Sequence, residues 1–221
     1  MAPTNEESKK QDIFDQLTWD DRVNASDISV SVLGDIAELN GTVPTYATKL
    51  AAEGNAYLVS DIIDVRNNLA VDFPTDEAVP SDLEITSSIE NKLKWDSQIN
   101  PEDIQVETTN GIVSLSGMID SYWEKIRAED LTRHTHGVID VDNNLTVTPL
   151  KSTKDVEIEN DIKKAFRRSD LIDEEKINVT VNRGIVRLSG IAPNYFIKAR
   201  IYDIATYSAG VRDIIDNITI A

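Results

Sequence analysis

The stretch Asn110-Gly111-Ile112-Val113-Ser114-Leu115-Ser116-Gly117 decides the fold. Ile104-Gln105-Val106 alternates ahead of it, and Ile112-Val113-Ser114-Leu115 follows the Asn-Gly pair. Alternation on both sides of Asn-Gly predicts a β-hairpin, because a type I′ turn needs positive φ at its two central residues. The closing Leu-x-Gly recurs twice, as Leu39-Asn40-Gly41 and Leu188-Ser189-Gly190.

Aligning the chain on these three glycines exposes an internal repeat, the feature to settle first in any fold assignment. Asn68, Asn144 and Asn217 each lie 27 residues after their glycine. Tyr46, Tyr122 and Tyr195 lie 5 after it, and Lys49, Lys125 and Lys198 lie 8 after it. Ile13, Ile89 and Ile162 lie 28 before, and Leu17, Leu93 and Phe166 lie 24 before. Trp19 and Trp95 share a slot that Arg168 fills in the third copy.

Each copy changes period in the same order. Leu83, Ile85, Ile89 and Leu93 are spaced as one face of a helix, which Ser81-Asp82-Leu83-Glu84 opens as a capping box. The hairpin follows, in copy three as Ile177 to Val181, Asn182-Arg183-Gly184 and Ile185 to Leu188. In copy one the turn Leu33-Gly34-Asp35 has its glycine one place early, so a different turn is expected there. A second helix, over about 122–135 and 194–208, leads through Gly137-Val138 or Gly210-Val211 into a last strand. The expected class is α+β: three tandem αββαβ modules, each with two helices packed on one face of a small three-stranded mixed sheet. The boundaries read as a polar tail over 1–9, a divergent module over 10–73, and modules over 81–148 and 154–221. The proline-bearing segments 74–80 and 149–154 read as short, semi-rigid spacers. Gly41, Gly111, Gly117, Gly137, Gly184, Gly190 and Gly210, with the three asparagines, are the expected turn and repeat positions.

Composition excludes several functions. The chain holds no cysteine, which removes disulfides, thiolate metal sites and thiol nucleophiles. A net charge of −17 opposes sequence-neutral binding of nucleic acid, which depends on Lys and Arg. No apolar run approaches the roughly 20 residues of a membrane-spanning helix. The polar start, Met1 to Lys10, does not read as a secretory leader. A cytoplasmic location is therefore expected, with the periplasm as the alternative if a leader has been removed.

The helix, the alternating strand, Asn110 to Gly117 and the later Gly137-Val138-Ile139-Asp140-Val141-Asp142-Asn143-Asn144-Leu145-Thr146-Val147 together resemble the BON (bacterial OsmY and nodulation) domain family. The resemblance runs from about residue 10 to the end, close in copies two and three and weaker in copy one. There Asp35 stands for the turn glycine and Asp61 for the glycine before the last strand. It implies an αββαβ fold, no catalysis, a place in envelope or osmotic stress, and phospholipid or other hydrophobic ligands.

No catalytic or metal centre is expected, and no cofactor. His134 and His136 would splay about 200° apart on a helix, an awkward pair for a metal. A calcium loop from Asp140 fails, with Leu145 and Lys151 where glycine and glutamate belong. Tyr122 with Lys125, and Tyr195 with Lys198, read either as an amphipathic rim for a head group or as repeated packing. Trp123 and Phe196 read either as interface-seeking aromatics or as core and inter-module residues. Charge is uneven: 11 acids against 4 bases over 10–74, 12 against 5 over 83–150, but 11 against 10 over 155–221. Lys163, Lys164, Arg167 and Arg168 lie together in copy three, so an anionic or lipid-like ligand is expected there. The competing expectation is a protein partner with no lipid; the oligomeric state stays open.

Overall fold

A computed structural model describes residues 5–74, 78–150 and 153–220. Module 1 comprises α1 (Asn5–Trp19), β1 (Ile28–Leu33), β2 (Ile36–Val43), α2 (Tyr46–Tyr57) and β3 (Asp64–Val71). Module 2 comprises α3 (Asp82–Trp95), β4 (Ile104–Thr109), β5 (Ile112–Ile119), α4 (Tyr122–Arg133) and β6 (Asp140–Val147). Module 3 comprises α5 (Asp155–Arg167), β7 (Ile177–Asn182), β8 (Ile185–Ala192), α6 (Tyr195–Thr206) and β9 (Asp213–Ile220). In each sheet the hairpin pair is antiparallel and the middle strand also pairs in parallel with the last strand, reached through the second helix. The sheets are therefore mixed, and both helices cover one face, burying Ile13, Leu17, Ile89, Leu93, Ile162 and Phe166. The Ser81–Glu84 capping box forms as the sequence implies.

The repeated Leu-x-Gly has a steric cause. Gly117 adopts φ +120, and a Cβ there would overlap the backbone carbonyl oxygen of Asp103. Gly41 and Gly190 stand in the same relation to Asp27 and Lys176. The three asparagines are not turn residues. Asn68, Asn144 and Asn217 sit mid-strand opposite Asn40, Ser116 and Ser189. Their side chains are exposed, because period-2 alternation turns them away from the helices.

The first helix starts at Asn5, inside the segment expected to be a polar tail. Its Glu6 carboxylate accepts from Gly34 N at 2.7 Å, tying the helix start to the hairpin turn. Asp82 accepts from Asn110 N and Gly111 N, and Asp155 from Arg183 N and Gly184 N, at 2.8–2.9 Å. These acids all stand 35 residues before the key glycine. Lys9, also inside the supposed tail, is 4% exposed. It occupies the place of Ile85 and Ile158, and its Nζ donates to Asp35 Oδ1 (2.7 Å), Asp61 O (3.1 Å) and Gly34 O (3.3 Å). Modules 2 and 3 need glycine beside that isoleucine: a Cβ on Gly137 would come within 2.7 Å of Ile85 Cδ1. Module 1 has instead exchanged isoleucine for lysine and the glycines for Asp35 and Asp61. The altered turn follows, with Gly34 at φ +63 and Asp61 left-handed at φ +63.

Candidate functional site

The modules join head to tail through the repeated tyrosines. Tyr46 at the start of α2 faces Asp140, Glu129 and Arg133 of module 2, and burial with the Asp140 carboxylate pushes its phenol up to about 12. Tyr122 at the start of α4 is buried, its hydroxyl 2.7 Å from that of Tyr202 in module 3. Burial first, and the Tyr202 hydroxyl second, raise the Tyr122 phenol far above its ordinary range. Tyr195 at the start of α6 stacks on Tyr57 of module 1, with centroids 4.4 Å apart and planes 10° from parallel. The third contact returns to the first module, so the three close into a ring. Tyr122 and Tyr195 thus both pack between modules, and Tyr195 also lines the cavity at the seam between modules 3 and 1.

The backbone of their lysine companions is held by the last strand in modules 1 and 2, and the side chain of Lys198 in module 3. The Lys125 carbonyl accepts from Asn143 Nδ2 at 3.0 Å, an amide that also reaches Glu129 Oε2 at 3.0 Å. Module 1 repeats this with Asn67, Lys49 and Glu53. In module 3 the pair has become Asp216 and Tyr202. Lys198 Nζ now lies 3.6 Å from Asp216, and Tyr202 is freed to meet Tyr122. Trp123 is half-buried where Ile126 faces Thr206 and Tyr207 across the seam between modules 2 and 3. Phe196 is 59% exposed at the seam between modules 3 and 1, beside Leu58 and Ile220. His134 caps α4, and His136 packs edge-on against Phe73 at 5.7 Å.

The basic helix α5 divides into two faces. Lys163 pairs with Glu159 at 2.6 Å and Arg167 with Glu174 at 2.7 Å, so both charges are met locally. Lys164 and Arg168, one turn apart, line a groove between α5 and the end of α6 with a volume of about 480 Å³. Arg200, Ile204 and Tyr207 form its opposite wall, and Ala165 its floor. Arg168 makes no ion pair among the described residues. Two carboxylates share the groove: Asp161, 3.1 Å from Lys164, and Asp203, whose carboxyl is raised by burial against the pull of Arg200. The groove is thus cationic on balance, with an apolar floor and one aromatic edge. Arg200 and Tyr207 come from the second helix, out of reach of periodicity read along α5.

The same position in module 1 is a wider groove of about 680 Å³, but with the charge inverted. Asp12, Asp15 and Asp61 line it beside the indole of Trp19, which is 87% exposed. In module 2 the long side chain of Lys92 lies across that space. Among the described residues no group of three or more His, Asp or Glu side chains is placed to hold a metal ion. No described helix is long and apolar enough to cross a membrane.

The BON domain model matches residues 5–72, 81–149 and 154–221. The chain is 33% identical over 128 residues to osmotically-inducible protein Y of Escherichia coli strain K12, a match covering 57% of this chain and 64% of that one. Two structures of CdsD, a structural protein of the type III secretion system of Chlamydia trachomatis, align over 96% and 95% of this chain and 91% and 95% of theirs. Their identities are 13% and 14%, and their TM-scores 0.27 and 0.26. With the family model covering nearly all of the sequence, the chain belongs to the BON domain family and carries three copies of that domain in tandem.

Proposed function

We propose that this chain is a non-enzymatic binding protein of bacterial osmotic or envelope stress, which takes an anionic amphiphile such as a phospholipid on its third module. The observation that carries this reading is the groove between α5 and α6, where Lys164, Arg168 and Arg200 face Ile204 and Tyr207. A phosphate head group finds Lys164, Arg168 and Arg200 there against Asp161 and Asp203, with Arg168 making no ion pair among the described residues, and the adjoining methylene groups find apolar surface. The kinship with osmotically-inducible protein Y supports the physiological setting. The first two modules serve chiefly to hold the third, through the tyrosine contacts that close the ring.

Vesicle flotation tests the reading. At low salt the chain should float with vesicles of phosphatidylcholine containing phosphatidylglycerol and stay behind with pure phosphatidylcholine. Equal behaviour toward the two would remove the lipid ligand. The alternative is a protein partner alone, engaging the edge strands of the sheets or the helix faces. Co-purification of one stoichiometric protein from the native host, with no lipid in the organic extract, would favour it.

A further inference from the structure

The grooves of modules 1 and 3 are built on equivalent positions, and at one of those positions the three modules carry different residues. That position stands 25 places before the Leu-x-Gly glycine: Gln16, Lys92 and Ala165 in modules 1, 2 and 3. Lys92 Nζ donates to His134 O and to Thr135 Oγ1, both at 2.9 Å, so its four-carbon stem fills the space between the two helices. Burial lowers its pKa, as expected for an ammonium drawn in from solvent. The counterparts of His134 and Thr135 in module 3 are Tyr207 and Ser208. Ser208 Oγ donates back to Ile204 O at 2.8 Å, as Thr135 Oγ1 does to Leu131 O at 3.0 Å. The acceptors for a lysine plug are therefore in place in module 3, and only the lysine is missing.

Resting on the anion-binding reading above, we infer that Ala165 is the gate of the site. The ligand's anionic head group enters the space that Lys92 fills in module 2, in contact with Lys164, Arg168 and Arg200. It does not lie over the outer face of α5, and Lys163 and Arg167 take no part. Module 2 is closed by its own side chain and acts as a spacer. Module 1 is open, but Asp12, Asp15 and Asp61 repel the same ligand.

The test separates a groove from a charged surface, because the decisive substitution adds a positive charge. Ala165→Lys is made in the full chain and titrated calorimetrically with monomeric dihexanoyl phosphatidylglycerol, and in a second arm with inorganic phosphate. Surface attraction alone would make the variant bind more tightly. A plugged groove makes it bind at least tenfold more weakly, with Arg167→Gln unchanged. Saturation by the lipid but not by phosphate assigns the site to a lipid head group; saturation by both assigns it to phosphate in general. Ala165→Lys binding as well as the parent overturns the gate while leaving the proposed function intact. No binding of either probe by the parent overturns both. Should Ala165→Lys unfold, Arg200→Gln on the exposed opposite wall replaces it. It must also bind at least tenfold more weakly, or the groove is not the site.

Discussion

Replacing Lys9 by isoleucine would give module 1 the residue that modules 2 and 3 carry at that place, and it should destabilise the module. Three acceptors lose their donor: Asp35 Oδ1, Asp61 O and Gly34 O. The Asp35 side chain is 55% exposed, so water takes over most of its share. Each carbonyl left short of a partner costs about 1–3 kcal/mol. The added side chain also meets Asp61, where module 2 shows that any Cβ approaches the isoleucine within 2.7 Å. Such crowding costs about 1–3 kcal/mol. Burying the new apolar surface returns roughly 2 kcal/mol. Gly34 and Asp61 are exposed, so each carbonyl costs near the low end of that range, and the net loss is about 1–3 kcal/mol. Adding Asp61→Gly should recover about 1–2 kcal/mol, since it removes the crowding and relieves a left-handed aspartate. A three-module chain need not unfold in one step, so hydrogen exchange of peptides covering β2 and β3 is the suitable readout. Lys9→Ile should speed that exchange by about 5- to 150-fold, and the double variant should restore most of it. If the two substitutions prove additive within about 0.5 kcal/mol, the claimed exchange of one triad for another is wrong.

Gly117→Ala should unfold module 2 outright, costing more than about 4 kcal/mol, because its Cβ would overlap Asp103 O; near-native exchange in β4 and β5 would refute that origin of the motif. Asp155→Ala removes the acceptor for two turn amides and should cost about 1–2 kcal/mol by thermal unfolding, with Asp82→Ala alike; no loss would show that water satisfies those amides. The raised phenol of Tyr46 gives a pH dependence of definite sign. Its contribution is complete below the ordinary value of 10.0 and is lost as pH rises through about 12. Alkaline loosening between modules 1 and 2 should fall in that window, and Tyr46→Phe should blunt it. A fall in stability already complete near pH 10 would contradict the burial of that hydroxyl.

Much of the architecture was legible because its cause is local and steric. Leu-x-Gly marks the place where a backbone carbonyl leaves no room for a Cβ, and Asn-Gly marks a turn with two positive φ angles. Lys9 was not legible, since a lysine near a chain start reads as solvated until the loss of two glycines is linked to it. Glu6, Asp82 and Asp155 carried a signal in their constant offset, but at Asp82 the adjacent capping box accounted for the acidic start of the helix. Periodicity locates a side chain on its own helix and says nothing of the neighbouring module, so the repetition of Tyr122 and Tyr195 pointed to packing without naming their partners. The candidate site was half legible. Lys164 and Arg168 stood out by composition, whereas Arg200, Tyr207 and the meaning of Ala165 emerged only when two helices and a second module were superposed.

The most direct test of the account is a backbone amide chemical-shift map of the whole chain titrated with dihexanoyl phosphatidylglycerol. Saturating shifts should centre on Lys164, Ala165, Arg168, Arg200, Ile204, Tyr207 and Ser208, while α3, α4 and the sheet faces turned away from the helices stay silent. Shifts centred on module 2, or spread along Lys163 and Arg167 without saturating, would contradict it.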